Sequence, residues 1–245
     1  MELTGSVALV TGANRGLGQA FARALIEAGA AKVYAGVRDP ASVDDPDLVP
    51  VALDVTDHGA IAAAAEQLGD VSILINNAGI SAGSSPLHED AVEAARRELE
   101  VNYVAPLALS RAFAPVLARN GGGAVVNMLS ALSWVAFPQV GTYSASKAAA
   151  WSLTNSLRTM LRSQGTLVVG VHAGYIDTDM AARVDGPKIA PEDVAAATIA
   201  ALRAGHEEVL ADDVSRNAKA ALPDDLRLIY PDIQRGFDAA LAAAR

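Results

Sequence analysis

Thr11-Gly12-Ala13-Asn14-Arg15-Gly16-Leu17-Gly18 decides how the rest of the chain is read. An apolar, β-branched run at 6–11 leads into it. From it grows a stretch at 17–28 in which Phe21, Leu25 and Ala28 recur at helical spacing until Gly29 stops it. Glycines between a strand and a helix suit a phosphate. The unpaired N–H groups and the dipole at the helix N-terminus favour negative charge, and missing Cβ atoms let the backbone come close. A plain glycine turn is the alternative, and the position between first strand and first helix argues against it. The same alternation continues along the chain, with strand-like runs at 32–37, 49–53, 72–75, 124–129, 167–172 and 208–211. Helical stretches fall at 17–28, 58–68, 86–117, 144–162 and 191–203. Several runs are apolar on both faces, as parallel strands covered on each side must be. The expected fold class is therefore α/β, a single doubly wound domain with a seven-stranded parallel sheet, helices on both faces and right-handed crossovers. Residues 39–50 hold three prolines and four aspartates and read as a loop or a stunted helix. A C-terminal helical extension occupies about 213–245. Its amphipathic stripe of Leu226, Ile229, Ile233, Phe237 and Leu241 is expected to pack on the body or on a partner.

Composition narrows the classes. The 245 residues are 51% hydrophobic and 19% charged, which excludes a disordered or collagen-like chain. No apolar run, read by eye, nears the ~18–20 residues of a membrane span, and the first residues lack the basic segment and apolar stretch of a secretion signal. Without cysteine there is no disulfide, thiolate metal site or thiol nucleophile, and a cytoplasmic location is expected. A net charge of −9 with no Lys/Arg block argues against a nucleic-acid surface. The four histidines show no metal-ligand spacing, so no metal is expected, and each reads as a surface or loop residue. In so acidic a chain the few basic residues are informative. A carboxylate normally ends the second strand where a ribose 2′-hydroxyl is held, but here the end reads Ala35-Gly36-Val37-Arg38. Arg38, with Arg15 in the loop, suits a 2′-phosphate, which favours NADP(H). The alternative is that Arg38 pairs with Asp39 or the acidic loop beside it.

Tyr143 and Lys147 stand four apart at the start of a helical stretch and so share a face. A phenol titrating near 10 is a sluggish acid or base at neutral pH. A neighbouring ammonium is expected to lower it, and the two units needed, about 3 kcal/mol, are to be shared with a bound nicotinamide cation. Ser130 closes the fifth strand at the carboxyl edge, where open α/β sheets bind ligands, and its hydroxyl is placed to meet a substrate oxygen. Ser133 is a nearby competitor.

With these residues in place, the chain resembles the single-domain branch of the short-chain dehydrogenase/reductase family over nearly all of 4–212. The matching pieces are Thr11–Gly18 as quoted above, Leu53-Asp54-Val55, Asn76-Asn77-Ala78-Gly79, Val101-Asn102, Ser130, Tyr143-Ser144-Ala145-Ser146-Lys147 and Gly174-Tyr175-Ile176-Asp177-Thr178. Their order and spacing together are specific, and the step from Ser130 to Tyr143 selects Ser130 over Ser133. The resemblance implies a Rossmann-like domain and a CH–OH/C=O oxidoreductase, an NADPH-dependent carbonyl reductase or the reverse. It implies Tyr143 as general acid or base, Ser130 orienting the carbonyl, Lys147 holding the nicotinamide ribose, and Asn102 helping to hold a relay water. The implied cofactor set is Gly12, Asn14, Arg15, Gly16, Leu17, Gly18, Arg38, Asp54, Val55, Asn76, Ala78, Gly79, Tyr143, Lys147, Ile176 and Thr178. For Asp54 the alternative is helix capping before Thr56-Asp57, and for Asn102 a buried backbone tie.

Two departures stand out. Ala173 replaces the proline usual before Gly174, which is expected to loosen the loop over the nicotinamide. Residues 207–245 lack the Gly-rich end that helps build a tetramer, so a homodimer through the Ala-rich stretches near 103–118 and 146–162 is expected instead. The substrate is a small-molecule carbonyl or alcohol. Leu132, Phe137, Tyr175 and Met180, with Trp134 and Val184, suggest an apolar pocket under a lid at 179–191, plain core packing being the alternative. A non-catalytic NADP(H)-binding sensor and an extended-branch epimerase or dehydratase remain the competing functions.

Overall fold

Strands β1 (Val7–Thr11), β2 (Lys32–Val37), β3 (Val49–Ala52), β4 (Ile73–Asn76), β5 (Ala124–Met128), β6 (Leu167–His172) and β7 (Glu208–Leu210) form one parallel sheet in the order β3-β2-β1-β4-β5-β6-β7, in a computed structural model that describes residues 1–243. Strand order reverses between β1 and β4, and the crevice beyond their carboxyl ends is where such sheets take ligands. Alternation along β1 divides its side chains between two cores. Ala8 and Val10 join Phe21, Leu25, Ile199 and Leu202 of α1 (Gly16–Glu27) and α6 (Pro191–Ala204). Leu9 joins Ile61, Phe113 and Leu157 of α2 (His58–Gln67), α4 (Ala105–Arg119) and α5 (Gly141–Leu161). Each large side chain buried this way contributes about 2 kcal/mol. The doubly wound, seven-stranded parallel architecture read from the sequence is the one observed.

The elements depart from expectation in three places. The helix read at 86–117 starts later, as α3 (Ala91–Leu99), because Asp90 accepts from Ser84 Oγ and pairs with His88 Nδ1, both at 2.7 Å, and holds the preceding residues in a loop. A π-helical turn, Glu100–Val104, then joins α3 to α4. Together they make one helix, Ala91–Arg119, whose length and mean hydropathy of 1.2 over 18 residues reach those of a membrane span. The sequence reading missed this. Leu109, Phe113, Val116 and Leu117 on it are buried against the sheet.

Residues 39–50 form a loop with a 3-10 turn at Pro40–Ser42, capped by Asp39, whose side chain accepts from Ala41 N. The C-terminal segment folds as α7 (Asp213–Ala221), α8 (Asp225–Leu228) and α9 (Tyr230–Ala243). Ile229, Ile233 and Phe237 of its stripe are half-buried, whereas Leu226 and Leu241 face solvent. Ala244 and Arg245 lie outside the described residues.

Candidate active site

The glycine loop is shaped by close backbone approach. Gly12 and Gly16 adopt φ of 69° and 52°, open to glycine at little cost. A Cβ on Gly18 would sit 2.1 Å from the Gly12 carbonyl oxygen and 2.7 Å from Asn77 Nδ2. Arg15 occupies the N-cap of α1 in extended conformation and gives no side-chain cap, so the first N–H groups of the helix have no side-chain acceptor there. That bare cradle fits a pyrophosphate. Thr11 ties it to β4. Its hydroxyl accepts from Asn77 N and Ala78 N, both at 3.0 Å, and Asn77 Nδ2 donates to its carbonyl at 2.9 Å. Asn77 was read only as part of the stretch from Asn76 to Gly79, and these bonds give it a role of its own in tying the loop to β4. Asn76 turns its side chain instead into a buried chain, donating to Asn127 Oδ1 at 2.8 Å while Asn127 donates to Thr154 at 2.9 Å.

At the adenine end, Arg38 is exposed and makes no ion pair among the described residues, with Asp39 or any other acid. Asp54 accepts from Thr56 N and Thr56 Oγ1, at 2.9 and 2.8 Å, and these bonds, with the Arg38 charge, hold its carboxyl below the usual range. Asp54 thus closes a local turn and does not cap the helix, since Asp57 caps α2. Val55 follows, half-buried. Asn14 donates to Ser42 at 3.2 Å, and Leu17 is buried. Arg15 meets Asp179 at 2.8 Å from across the crevice. Thr178 lies against Gly16, where a Cβ would come 3.2 Å from its Cγ2.

Tyr143 falls in the first turn of α5, so Lys147 lies one turn on, with its Nζ 5.7 Å from the phenol ring centre. The Ser130 hydroxyl is in hydrogen-bonding reach of the phenol and accepts from Leu132 N at 3.1 Å. In the protein alone, burial outweighs the pull expected of the ammonium. Burial pushes Tyr143 up to about 12, against the pull of Ser130 and with the charge of Glu98 adding to the rise. Burial also brings Lys147 down to about 8. Its ammonium donates to Met128 O at 2.9 Å. Gly79 leaves room beside it, since a Cβ there would meet Asn102 Oδ1 at 3.1 Å and Lys147 Nζ at 3.6 Å.

Asn102 sits in the π turn and is a buried backbone tie. It accepts from Ile80 N and donates to Ile80 O, both at 2.9 Å, and donates to Ser146 Oγ at 2.9 Å. Glu98, wholly buried one turn earlier, accepts from Ala82 N at 2.7 Å. Sequence reasoning overlooked it, because a glutamate among polar helix residues reads as solvent-facing. His172 also corrects the reading of histidines as surface residues. It is wholly buried at the end of β6, stacked 3.8 Å from the half-buried Trp134.

On the substrate side Phe137, Tyr175 and Met180 are exposed and Leu132 is half-buried. Around Ala173 the backbone is tied to neighbouring segments. Gly174 N donates to Asp212 Oδ2 at 2.7 Å, Ala131 N to Ala173 O at 2.9 Å, and a bridge between Ile176 and Ile189 pins the lid at both ends. A groove of about 690 Å³ opens near Gly5, Asp70 and Gly165, and none of these site residues lines it.

A family model for short chain dehydrogenase matches residues 6–188. A solved short chain dehydrogenase from Burkholderia cenocepacia J2315, in complex with NADP, is 42% identical with a TM-score of 0.90, covering 95% of this chain and 99% of that one. A cis-4-hydroxycyclohexanecarboxylate dehydrogenase of Sinomonas cyclohexanicum is 36% identical over 187 residues, 72% of this chain and 75% of that protein. A short chain dehydrogenase of Aspergillus terreus is 31% identical over 208 residues, 78% of this chain but 45% of that longer relative. Solved relatives hold NADP or NADH. Glycine cradle, Tyr143–Lys147 pair and sheet order thus sit in a chain that matches the family model over residues 6–188 and one solved relative over 95% of its length, and it belongs to the short-chain dehydrogenase/reductase family of oxidoreductases.

Proposed function

We propose that the chain is an NADPH-dependent reductase of ketones or aldehydes, also able to run the reverse oxidation. The observation that carries this is a phenol beside a serine hydroxyl, one helical turn from a buried ammonium 5.7 Å from its ring centre. Bound NADPH supplies a hydride, which adds to the carbonyl carbon as the π electrons move onto oxygen. Ser130 and Tyr143 hold that oxygen from two sides. Tyr143 donates its proton to it, giving the alcohol and leaving a phenolate. Lys147, titrating at about 8, gives up a proton readily enough to restore the phenol. The bare α1 N-terminus holds the pyrophosphate, and Arg38 the 2′-phosphate. Exposed Phe137, Tyr175 and Met180 support a hydrophobic substrate. The Sinomonas relative is named for a ring alcohol that also carries a carboxylate, so it supports an alcohol/ketone pair on a ring but not an uncharged substrate. A homodimer through α4 and α5 belongs to the same proposal, supported by exposed Leu107 and Met160 on those helices.

The test is NADPH consumption over a broad carbonyl panel, with Tyr143→Phe alongside. Loss of a general acid is expected to cost roughly 10²–10⁴-fold in kcat with NADPH binding kept. A phenylalanine variant as fast as the unaltered protein, or activity confined to small charged keto acids, overturns the reading.

A further inference from the structure

We propose that His172 is a positioning residue for this chemistry: its imidazole, clamped between the Trp134 indole and the Ser130 carbonyl, fixes the strand exit on which the Ser130 hydroxyl stands. The inference rests on the reductase reading above.

His172 ends β6, where Val168, Val169 and Val171 are all buried apolar residues, so a histidine there departs from the strand's own pattern. It is wholly buried, and its Nδ1 lies 2.9 Å from Ser130 O. A carbonyl oxygen only accepts, so Nδ1 carries the proton and donates. Nε2 is buried with no partner among the described residues, an orphan that an aliphatic side chain would have avoided. Burial brings the ring down to about 4, against the Ser130 bond and helped by the charges of Lys219, Arg158 and Lys147, so it stays neutral with its donor in place.

Ser130 needs such an anchor because it lies just beyond β5. Its neighbours are tied by the sheet pattern, Leu129 N to Val171 O at 2.8 Å and Ala131 N to Ala173 O at 2.9 Å. Ser130 itself is held by side chains and a turn. Its N–H donates to Ser133 Oγ at 3.2 Å, and its carbonyl accepts from Ser133 N at 3.0 Å and from the imidazole. The ring cannot swing away. Trp134 stacks on it at 3.8 Å and 16°, Trp151 meets Trp134 edge-on at 6.3 Å, and Lys219 of α7 lies 5.7 Å over the Trp134 ring. The C-terminal segment is thereby linked through two rings to the serine that faces the substrate.

Two substitutions separate this role from simple packing. His172→Phe keeps a stackable ring and removes the donor. His172→Asn keeps a donor at nearly the same place and removes the ring. His172→Phe is expected to lower kcat about tenfold or more, with the KM for NADPH little changed, and His172→Asn to recover most of that loss. Nitrogen-15 NMR of the unaltered protein is expected to find the Nδ1–H tautomer at neutral pH. Full kcat in His172→Phe, an asparagine variant no better than the phenylalanine one, or an Nε2–H tautomer each overturns the proposal. If the phenylalanine variant does not fold, the tautomer decides. An unaltered protein that reduces no carbonyl sinks the reductase reading and this inference with it. Normal turnover with an indifferent His172→Phe sinks the inference alone.

Discussion

Tyr143 keeps its proton because its phenol is withdrawn from water beside Ser130, while the same burial pulls Lys147 toward losing one. Motif spacing brought the two residues together on one helical face, but it carries nothing about how far burial lifts the phenol. Desolvation depends on what packs around a side chain, and Glu98, which adds to the rise, comes from a different helix. Arg38 is the opposite case, legible from the strand it follows. It has no acid partner among the described residues to surrender, so its guanidinium is available to a 2′-phosphate. Arg15 must leave Asp179 to do the same, an exposed pair that costs little to break. Arg38→Asp is expected to move the ratio of kcat/KM for NADPH over NADH roughly ten- to hundredfold toward NADH, the value of one charge-assisted hydrogen bond lost. Steady-state kinetics with both cofactors checks this, and an unchanged ratio would remove Arg38 from the cofactor site.

Among the elements, the strands were readable because both faces are apolar. β2 and β6 fall where the runs predicted, and the others within a residue or so. What could not be read was the π turn at Glu100–Val104, since its cause is three-dimensional: Asn102 must reach Ile80 and Ser146 at once. The junction between β6 and α7 was equally hidden. One carboxylate, Asp212, accepts from Ser215 N at 2.8 Å to cap α7 and from Gly174 N at 2.7 Å to hold the loop after Ala173. Asp212→Ala removes both bonds and is expected to cost about 2 kcal/mol, or roughly 4–8 °C in Tm for a chain of this size. Ser215→Ala, which leaves both Asp212 carboxylate bonds and removes only the Ser215 hydroxyl contacts, is expected to cost less. Equal losses in thermal melts would mean that the carboxylate bonds add nothing.

For the whole molecule, parallel strands buried on both faces concentrate the chemistry at one edge and leave polar side chains deep in the body, which has a consequence for acid stability. His172 is held at about 4 when folded and titrates near 6.5 in an unfolded chain. Between those values the unfolded chain takes a proton that the native one refuses, so stability falls as pH drops from 6.5 toward 4 and the loss ends below 4. The slope is about 1.4 kcal/mol per unit, and the whole loss roughly 3 kcal/mol. Asp54, held low by its Thr56 bonds, adds a loss of the same sign as pH falls through the carboxylate range. The net charge of −9 works the other way, since acid relieves self-repulsion. His172→Asn separates these contributions: it leaves Asp54 and the overall charge as they are and removes the imidazole's titration. Urea denaturation at pH 7 and pH 4.5 is therefore expected to show a larger drop in unfolding free energy for the unaltered protein than for His172→Asn. Identical drops would mean that the imidazole takes up its proton in the folded protein, and so is not enclosed as the structure has it.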